Sequence, residues 1–436
     1  MNFLSNDMSE YTSLVVTSGL MLLSMMIYVS FTDEILSSLK HFFALWALPN
    51  SFMGIGFNTI EREKQYTNKV KIGVLTNELP PIIYGGVATW VVNFLNMFKG
   101  HPHYETVPIF LAYMDKAPET FCRDYPGIRI INNHNDLKYV FEDIDICVNN
   151  LWIANETIEH IKCIFPKIPI VTVCHSLIKM EHITNMGSQY TNHFPEQEKA
   201  FALSDIVILI SHAEEKYYRE FNYHKKYRAK TKMIYNMYTP KYDSKSACDM
   251  NYENTTVGYI GRHVPRKRPE LPIMAVRNVL KDKSIQVYNM GVDPKNEYWA
   301  KLKTDYYDQM NIIHFTSDKS MVQNYWKNVG VNCVTGIYEP FGYTMCETLD
   351  RGVPAIVQNL DGPKEIVDEV KEHVFLYDVH QDIEKDIISF GNALKRFLKT
   401  PPDIRKKMAM SARRALDKLH PSVIRNEWIT LFESLS

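Results

Sequence analysis

From Lys69 onward the chain alternates short apolar runs with longer segments in which apolar residues recur every three or four positions. Val70 to Thr76 is mostly aliphatic and β-branched, as suits a strand buried on both faces of a parallel sheet. A loop with Pro80, Pro81, Gly85 and Gly86 follows, and then Val87 to Phe98 carries helical periodicity. Further strands are predicted at Thr106 to Leu111, Ile128 to Ile131, Ile146 to Val148, Ile168 to Val173 and Ile206 to Ser211. Helical stretches such as Glu156 to Ile164 and Glu196 to Leu203 fall between them. The pattern restarts with a strand at Val257 to Arg262 and a helix at Pro269 to Leu280. Strands recur at Ile285 to Met290, Ile312 to Phe315, Val331 to Thr335 and Pro354 to Gln358. The chain closes on an amphipathic helix, Ile424 to Leu435.

Such alternation predicts an α/β fold of two doubly wound, Rossmann-like domains. The aperiodic polar stretch Thr239 to Asn254 marks their boundary, with domains over 69–245 and 255–415. The last segment, 416–436, is expected to pack back on the first domain. Ligands of open parallel sheets bind beyond the carboxyl ends of the strands. The loops after 70–76, 168–173, 257–262 and 331–337 should therefore line a cleft between the domains.

The first 60 residues have a different pattern. Tyr11 to Thr32 contains no charged residue before Asp33, and a helix of about 20 residues crosses a bilayer core. A second uncharged stretch, His41 to Ile60, is broken by Pro49, Gly54 and Gly56, and its aromatic residues suit an interface. Membrane attachment through residues 11–60 is the expectation, and an amphipathic arm on the globular part is the alternative. No Lys or Arg precedes the first stretch, unlike a signal peptide.

Composition adds exclusions. The 436 residues are 45% hydrophobic and 23% charged, with a net charge of -1, which gives no field for nucleic acid. The seven cysteines are scattered without a CxxC pair, so neither a disulfide framework nor a zinc site is predicted from them. The catalytic part is expected in a reducing compartment, facing the cytoplasm. Sequons occur at Asn155 and Asn254.

Candidate chemistry concentrates at the predicted cleft. Arg262, Arg266, Lys267 and Arg268 cluster just after a strand, where fixed cations would hold a pyrophosphate. In isolation the cluster would read as a solvated basic turn, and its place at a strand's carboxyl end favours the ligand. Gly342 opens a helix running to about Leu349, whose first N–H groups suit a phosphate. Glu339 precedes that helix and Glu347 lies two turns beyond; they read as acceptors for sugar and ribose hydroxyls or, as spacing alone would favour, as a cap-region acid and an exposed helix acid. Gly85 and Gly86 permit close backbone approach, and His175 ends a strand. Asp143-Ile144-Asp145 has the form of a metal-binding pair but falls at the amino end of its strand, so the reaction is expected to need no metal or other cofactor.

Together these motifs resemble the retaining GT-B glycosyltransferases of the family 4 type, the glycosyl transferases group 1, from about Val70 to the C-terminus. Glu339-Pro340-Phe341-Gly342 with Glu347 resembles that family's paired glutamates, and Gly261-Arg262 with Lys267 its phosphate-binding turn. Gly352-Val353-Pro354 and Gly362-Pro363-Lys364-Glu365-Ile366 resemble the elements that follow. Gly85-Gly86 resembles the loop under the donor diphosphate, His175 the histidine near the donor sugar, and Ser204-Asp205 with Ser211 the Ala-Asp…Ser element. The resemblance implies that Arg262 and Lys267 bind donor phosphates, Glu339 donor sugar hydroxyls and Glu347 the ribose. Tyr343 and Thr344 would offer backbone N–H groups, and a leaving phosphate oxygen would take the acceptor's proton. Glu339, His175, Arg262 and Lys267 thus form the expected catalytic set.

The implied activity is transfer of a hexose or N-acetylhexosamine from a nucleotide-diphosphate sugar to a glycan, lipid-linked or protein-linked acceptor. Two departures stand out: Asp350-Arg351 replaces small residues before Gly352, and Arg268 stands where a glycine commonly follows the lysine. An epimerase or hydrolase of the same fold, or an inactive membrane-bound nucleotide-sugar-binding scaffold, would share this cleft, and fold alone does not decide among them.

Overall fold

The apolar run at Val70 opens a fully parallel sheet, because its side chains are buried on both faces. A computed structural model describes residues 69–435, apart from 84, 115–116, 186–192, 244–249, 293–296, 307–309, 315–318 and 381. The predicted membrane segments within 11–60 lie outside the described residues. Among those described, no helix is long and apolar enough to cross a membrane.

The first sheet has seven strands: β1 (Val70–Thr76), β2 (Tyr104–Leu111), β3 (Arg129–Ile131), β4 (Ile146–Asn149), β5 (Ile170–Cys174), β6 (Ile206–Leu209) and β7 (Lys230–Met233). Their order is β3-β2-β1-β4-β5-β6-β7. The second has six: β8 (Val257–Ile260), β9 (Val287–Val292), β10 (Met310–His314), β11 (Val331–Val334), β12 (Ala355–Gln358) and β13 (Phe375–Tyr377), ordered β10-β9-β8-β11-β12-β13. In each sheet the first strand lies beside the fourth, so chain direction across the sheet reverses at β1/β4 and at β8/β11. Leu75 stands opposite Asn149 and Tyr259 opposite Cys333. These switch points are where such sheets accept ligands.

Two edge strands escaped the sequence reading. β7 carries two lysines in four residues and β13 has only three residues, so neither shows the long apolar run of a central strand. The helix read over 269–280 divides into an α-helical part, Leu271–Ala275, and a wider π turn, Val276–Leu280, which ends at Lys281 with φ 56°.

The helix α1 (Gly86–Phe98) covers the first sheet and buries Trp90, Phe94 and Phe98. The last helix, Pro421–Glu433, returns to it. Trp428 meets Phe94 at 4.9 Å and Trp90 at 5.8 Å between ring centroids, and Phe432 meets Phe98 at 5.8 Å. The connection between the domains is held by Asp350, whose carboxylate accepts the Tyr238 hydroxyl at 3.1 Å and the Lys241 N–H at 2.7 Å. Both sequons are engaged in the fold. Asn155 is buried, and Asn254 donates to the Asn328 carbonyl at 2.9 Å while accepting from Thr256 N–H at 2.8 Å.

Candidate active site

The turn after β8 is built by the loop after β11. Thr335 Oγ1 reaches the carbonyls of Lys267 at 2.7 Å and Arg268 at 3.0 Å, and Ile337 N–H donates to the Arg266 carbonyl at 2.8 Å. This clamp fixes the 3₁₀ turn Pro265–Lys267 and aims Lys267 at Glu339, with which it forms a direct ion pair. Glu339 is held by its backbone as well. Its N–H donates to Asp361 Oδ2 at 3.2 Å, and its carbonyl accepts Gly362 N–H at 3.1 Å. A Cβ on Gly362 would lie 2.4 Å from the Pro340 carbonyl oxygen, so only glycine lets these loops meet.

The cations cooperate and compete. Burial, with Arg266 and Arg262 nearby, brings the Lys267 ammonium down to about 8 despite the pull of Glu339. Burial alone would raise the Glu339 carboxyl, but Lys267, Arg266 and Arg262 together hold it below its ordinary value. Glu339 is therefore ionised at neutral pH, and Lys267 is mostly protonated. Arg262 is exposed at the mouth of the turn.

Gly342 adopts φ 101° and opens the helix Tyr343–Asp350. Among the described residues, no protein acceptor takes the N–H groups of Tyr343 and Thr344, so they are available to an anion. Glu347, one turn inside, is half-buried; its backbone carbonyl takes Arg351 Nη1 at 3.4 Å, while its carboxylate accepts no hydrogen bond from the described residues. Burial raises its carboxyl, and Arg351 and Lys241 counter this in part. From the other domain Gly86 approaches the helix start. A Cβ there would stand 3.8 Å from Tyr343 Cδ2, while one on Gly85 would stand 3.6 Å from Glu78 Oε2. The sequence-expected donor residues of the two domains thus converge on one place.

His175 follows β5 and rests edge-on against Trp90, 5.4 Å between centroids. Its Nε2 lies 2.9 Å from Asn150 Oδ1. The Asn150 amide nitrogen is directed at the Leu75 carbonyl, 3.4 Å away, so Oδ1 faces the ring and Nε2 must donate. Burial lowers the imidazole to about 3, so the ring is neutral and Nδ1 keeps a lone pair.

Residues 245–415 match the family described as glycosyl transferases group 1. The chain carries a group 1 glycosyltransferase domain. No curated protein sequence matches the chain. Among solved structures, sucrose-phosphate synthase of Thermosynechococcus elongatus is similar with a TM-score of 0.66 at 18% identity, over 84% of this chain and 99% of that one. HepE of Anabaena, in complex with UDP and glucose, is similar with a TM-score of 0.63 at 16% identity, over 84% and 100%. TarM of S. aureus, as a mutant in complex with fondaparinux, α-GlcNAc-glycerol and UDP, is similar with a TM-score of 0.64 at 13% identity, over 83% and 99%. At such identities the likeness is one of fold.

Within the glycosyltransferase domain, two of the four clustered cations do not serve the cleft. Arg266 is buried, 3.2 Å from Glu181 Oε1, and donates to the Tyr338 carbonyl at 3.2 Å. Arg268 pairs with fully buried Asp386 on the helix Ile383–Lys399. Each is tied to a carboxylate outside the expected donor set, which leaves Arg262 and the Lys267–Glu339 pair as the candidates for a ligand. Arg268 sits at φ 46°, a left-handed position that favours glycine, so this departure changes the backbone's occupant and not the charge facing the cleft. The other departure is also internal. Asp350 ties the domain connection, and the Arg351 guanidinium lies 4.7 Å from the ring centroids of both Tyr242 and Trp326.

Asp143 and Asp145 occupy the amino ends of the strands. Asp143 pairs with Arg129 at 2.6 Å and Lys71 at 2.5 Å, whose hydrogen bonds lower its carboxyl, and Asp145 accepts the Lys71 N–H at 2.7 Å.

The sequence reading missed the contacts that hold the domains together. Tyr338 donates to Glu214 at 2.5 Å and accepts Leu177 N–H at 2.8 Å, and Tyr217 donates to Asp361 at 2.8 Å. Partners 124 to 161 residues apart leave no periodic or local signal.

Proposed function

We propose that this chain transfers a hexose or N-acetylhexosamine from a nucleotide-diphosphate sugar to a glycan, lipid-linked or protein-linked acceptor, with retention of configuration and without a metal ion. The observation that carries this reading is Lys267 paired with Glu339 beside Arg262, close to the open N-terminus of the helix at Tyr343. Two cations and the free N–H groups of Tyr343 and Thr344 would neutralise the charge that grows on the leaving diphosphate. Preorganised donors of this kind are worth about 3–4 kcal/mol each. They supply what a bound metal would otherwise supply.

Glu339, kept ionised by its neighbours, accepts hydrogen bonds from donor sugar hydroxyls. Glu347 takes the ribose, and Gly85 and Gly86 bring backbone under the diphosphate. His175, neutral and fixed by Asn150, offers Nδ1 to a sugar hydroxyl. The bond from the anomeric carbon to the diphosphate breaks, and the acceptor oxygen attacks from the same face. Its proton passes to the leaving phosphate oxygen, so no protein base is needed. Structures of HepE in complex with UDP and UDP-glucose make uridine donors the first to try.

The test is the protein's thermal midpoint against a panel of nucleoside diphosphates and nucleotide sugars. A ligand bound only by the folded state stabilises the fold by about 2.7 kcal/mol at a hundredfold excess over Kd and so raises that midpoint. A rise with one base, lost in Lys267→Ala, supports the donor site. Release of nucleoside diphosphate only when acceptor is present supports transfer over hydrolysis. No rise with any ligand sinks the reading. Residues 11–60 would attach the enzyme to a membrane, catalytic domains on the cytoplasmic side. Unchanged activity on native membranes after deleting residues 1–60 would remove that part.

A further inference from the structure

Outside the donor site, three side chains with ligating atoms converge on the N-terminal domain alone. His134 sits in the 3₁₀ turn after β3, and Glu156 and His160 lie one helical turn apart on the helix Asn155–Ile164. One ligating atom from each falls within 4.8 Å of the others. We propose that His134, Glu156 and His160 form a binding site for a divalent transition-metal cation, with zinc the best match to two imidazoles and a carboxylate.

The tautomer of His160 is already that of a ligand. Its Nδ1 stands 2.7 Å from the Glu156 carbonyl oxygen, which can only accept, so Nδ1 carries the hydrogen and Nε2 keeps its lone pair. A backbone carbonyl on one ring nitrogen is how proteins orient an imidazole that binds metal through the other. His134 supplies a second, independent sign. Its Nε2 is shut off from solvent without a hydrogen-bond partner, an arrangement that calls for an explanation such as an ion, while its Nδ1 lies 3.7 Å from Glu156 Oε1.

The frame is stiff where it should be and loose where it can be. Asn133 accepts Asn135 N–H at 3.0 Å, and Asp136 accepts Asn132 N–H at 2.8 Å, which fixes the turn that carries His134. The two imidazoles are stacked at 4.2 Å with 20° between planes. Glu156 is 73% exposed and can swing. Zinc bonds of about 2.0–2.2 Å set ligand atoms roughly 3.4 Å apart in a tetrahedron, so closure needs shifts on the order of 1 Å, with Glu156 swinging in and the two rings tilting out of their stack so that their in-plane lone pairs meet on the ion. The fourth position would go to water. Magnesium and calcium prefer all-oxygen shells and fit poorly. None of the three residues belongs to the donor site, so the cation would tie the turn after β3 to its neighbouring helix and leave transfer metal-independent.

The full-length protein is titrated with zinc against a chromogenic chelator, and with cobalt as a spectroscopic probe. The expected result is one tight equivalent per chain, with affinity lowered more than about tenfold by His134→Ala and by His160→Ala, since even losing a group behind a ligand costs that much. Zinc should also raise the thermal midpoint of the wild type but not of either variant, and the metal-free midpoints report that the variants fold. Absence of a saturable equivalent, or unchanged affinity in both variants, overturns the site. So does a thiolate charge-transfer band with cobalt, which would put the ion on exposed Cys122 or Cys163.

Discussion

The carboxylate of Glu365 accepts the backbone N–H of Ala213 at 2.6 Å, across the boundary between the two Rossmann-like domains. Its other oxygen takes His212 N–H at 2.9 Å and the Tyr235 hydroxyl at 3.1 Å. A side chain of one domain thereby caps the helix His212–Glu220 of the other and complements its dipole. Glu365→Ala should lower unfolding free energy by about 1–2 kcal/mol, as lost caps do. Because the contact spans the domains, the variant's radius of gyration by small-angle X-ray scattering should also grow. An unchanged radius with the same stability loss would make Glu365 a cap and nothing more.

The Lys267–Glu339 pair sets a second expectation. Their side chains are 18% and 16% exposed, so removing either strands a charge in a partly buried place. The losses from Lys267→Ala and Glu339→Ala should sum to more than the loss in the double variant, with a coupling of about 1 kcal/mol or more by denaturant unfolding. Ligand binding should carry the same signature in pH. An anion favours the protonated lysine, so nucleoside diphosphate affinity should fall as pH rises past about 8. A bound diphosphate pulls that midpoint upward. Isothermal titration from pH 7 to 9.5 measures it, and Lys267→Ala should flatten the curve.

Much of this was legible from the chain because parallel strands buried on both faces leave apolar runs. β1, β4 and β11 were read near their true ends for that reason. The loops of the candidate site were legible because glycines and charges fall just after those strands. What stayed hidden was the partner of each charge. Arg262, Arg266, Lys267 and Arg268 look alike in sequence, yet Glu181 and Asp386 claim two of them from 85 and 118 residues away. Only tertiary structure tells a cleft cation from a staple.

Arg268 makes that distinction testable. A glycine would suit its left-handed backbone, a gain of roughly 1–2 kcal/mol. It would also leave Asp386, fully buried, without its cation, and breaking such a pair costs about 3–5 kcal/mol. Arg268→Gly should therefore lose stability on balance, and adding Asp386→Asn should restore most of it. Donor-induced thermal shifts should be the same in both variants as in wild type. A weakened shift would return Arg268 to the cleft.

Glu214 gives the domain contact a pH dependence of definite sign. Burial, with Asp361 and Glu181 adding to it, drives its carboxyl up to about 8 against the hydrogen bonds from Tyr338 and Leu177, and Oε2 is buried without a partner. A carboxyl raised by folding binds its proton in the native state while the unfolded chain has lost it. Its stabilising contribution is complete below the unfolded value near 4.5 and disappears as pH climbs through about 8. Asp361, raised to about 6 by burial, titrates in the same direction over the lower part of that range. Stability by denaturant should accordingly decline from pH 5 to 8.5. Glu214→Gln keeps an acceptor for Tyr338 and Leu177 but cannot ionise, so it should remove the upper part of the decline and leave the lower part to Asp361. If wild type and variant fall in parallel, Glu214 is ionised in the folded protein at neutral pH, and the tyrosine bridges a charge instead of an acid.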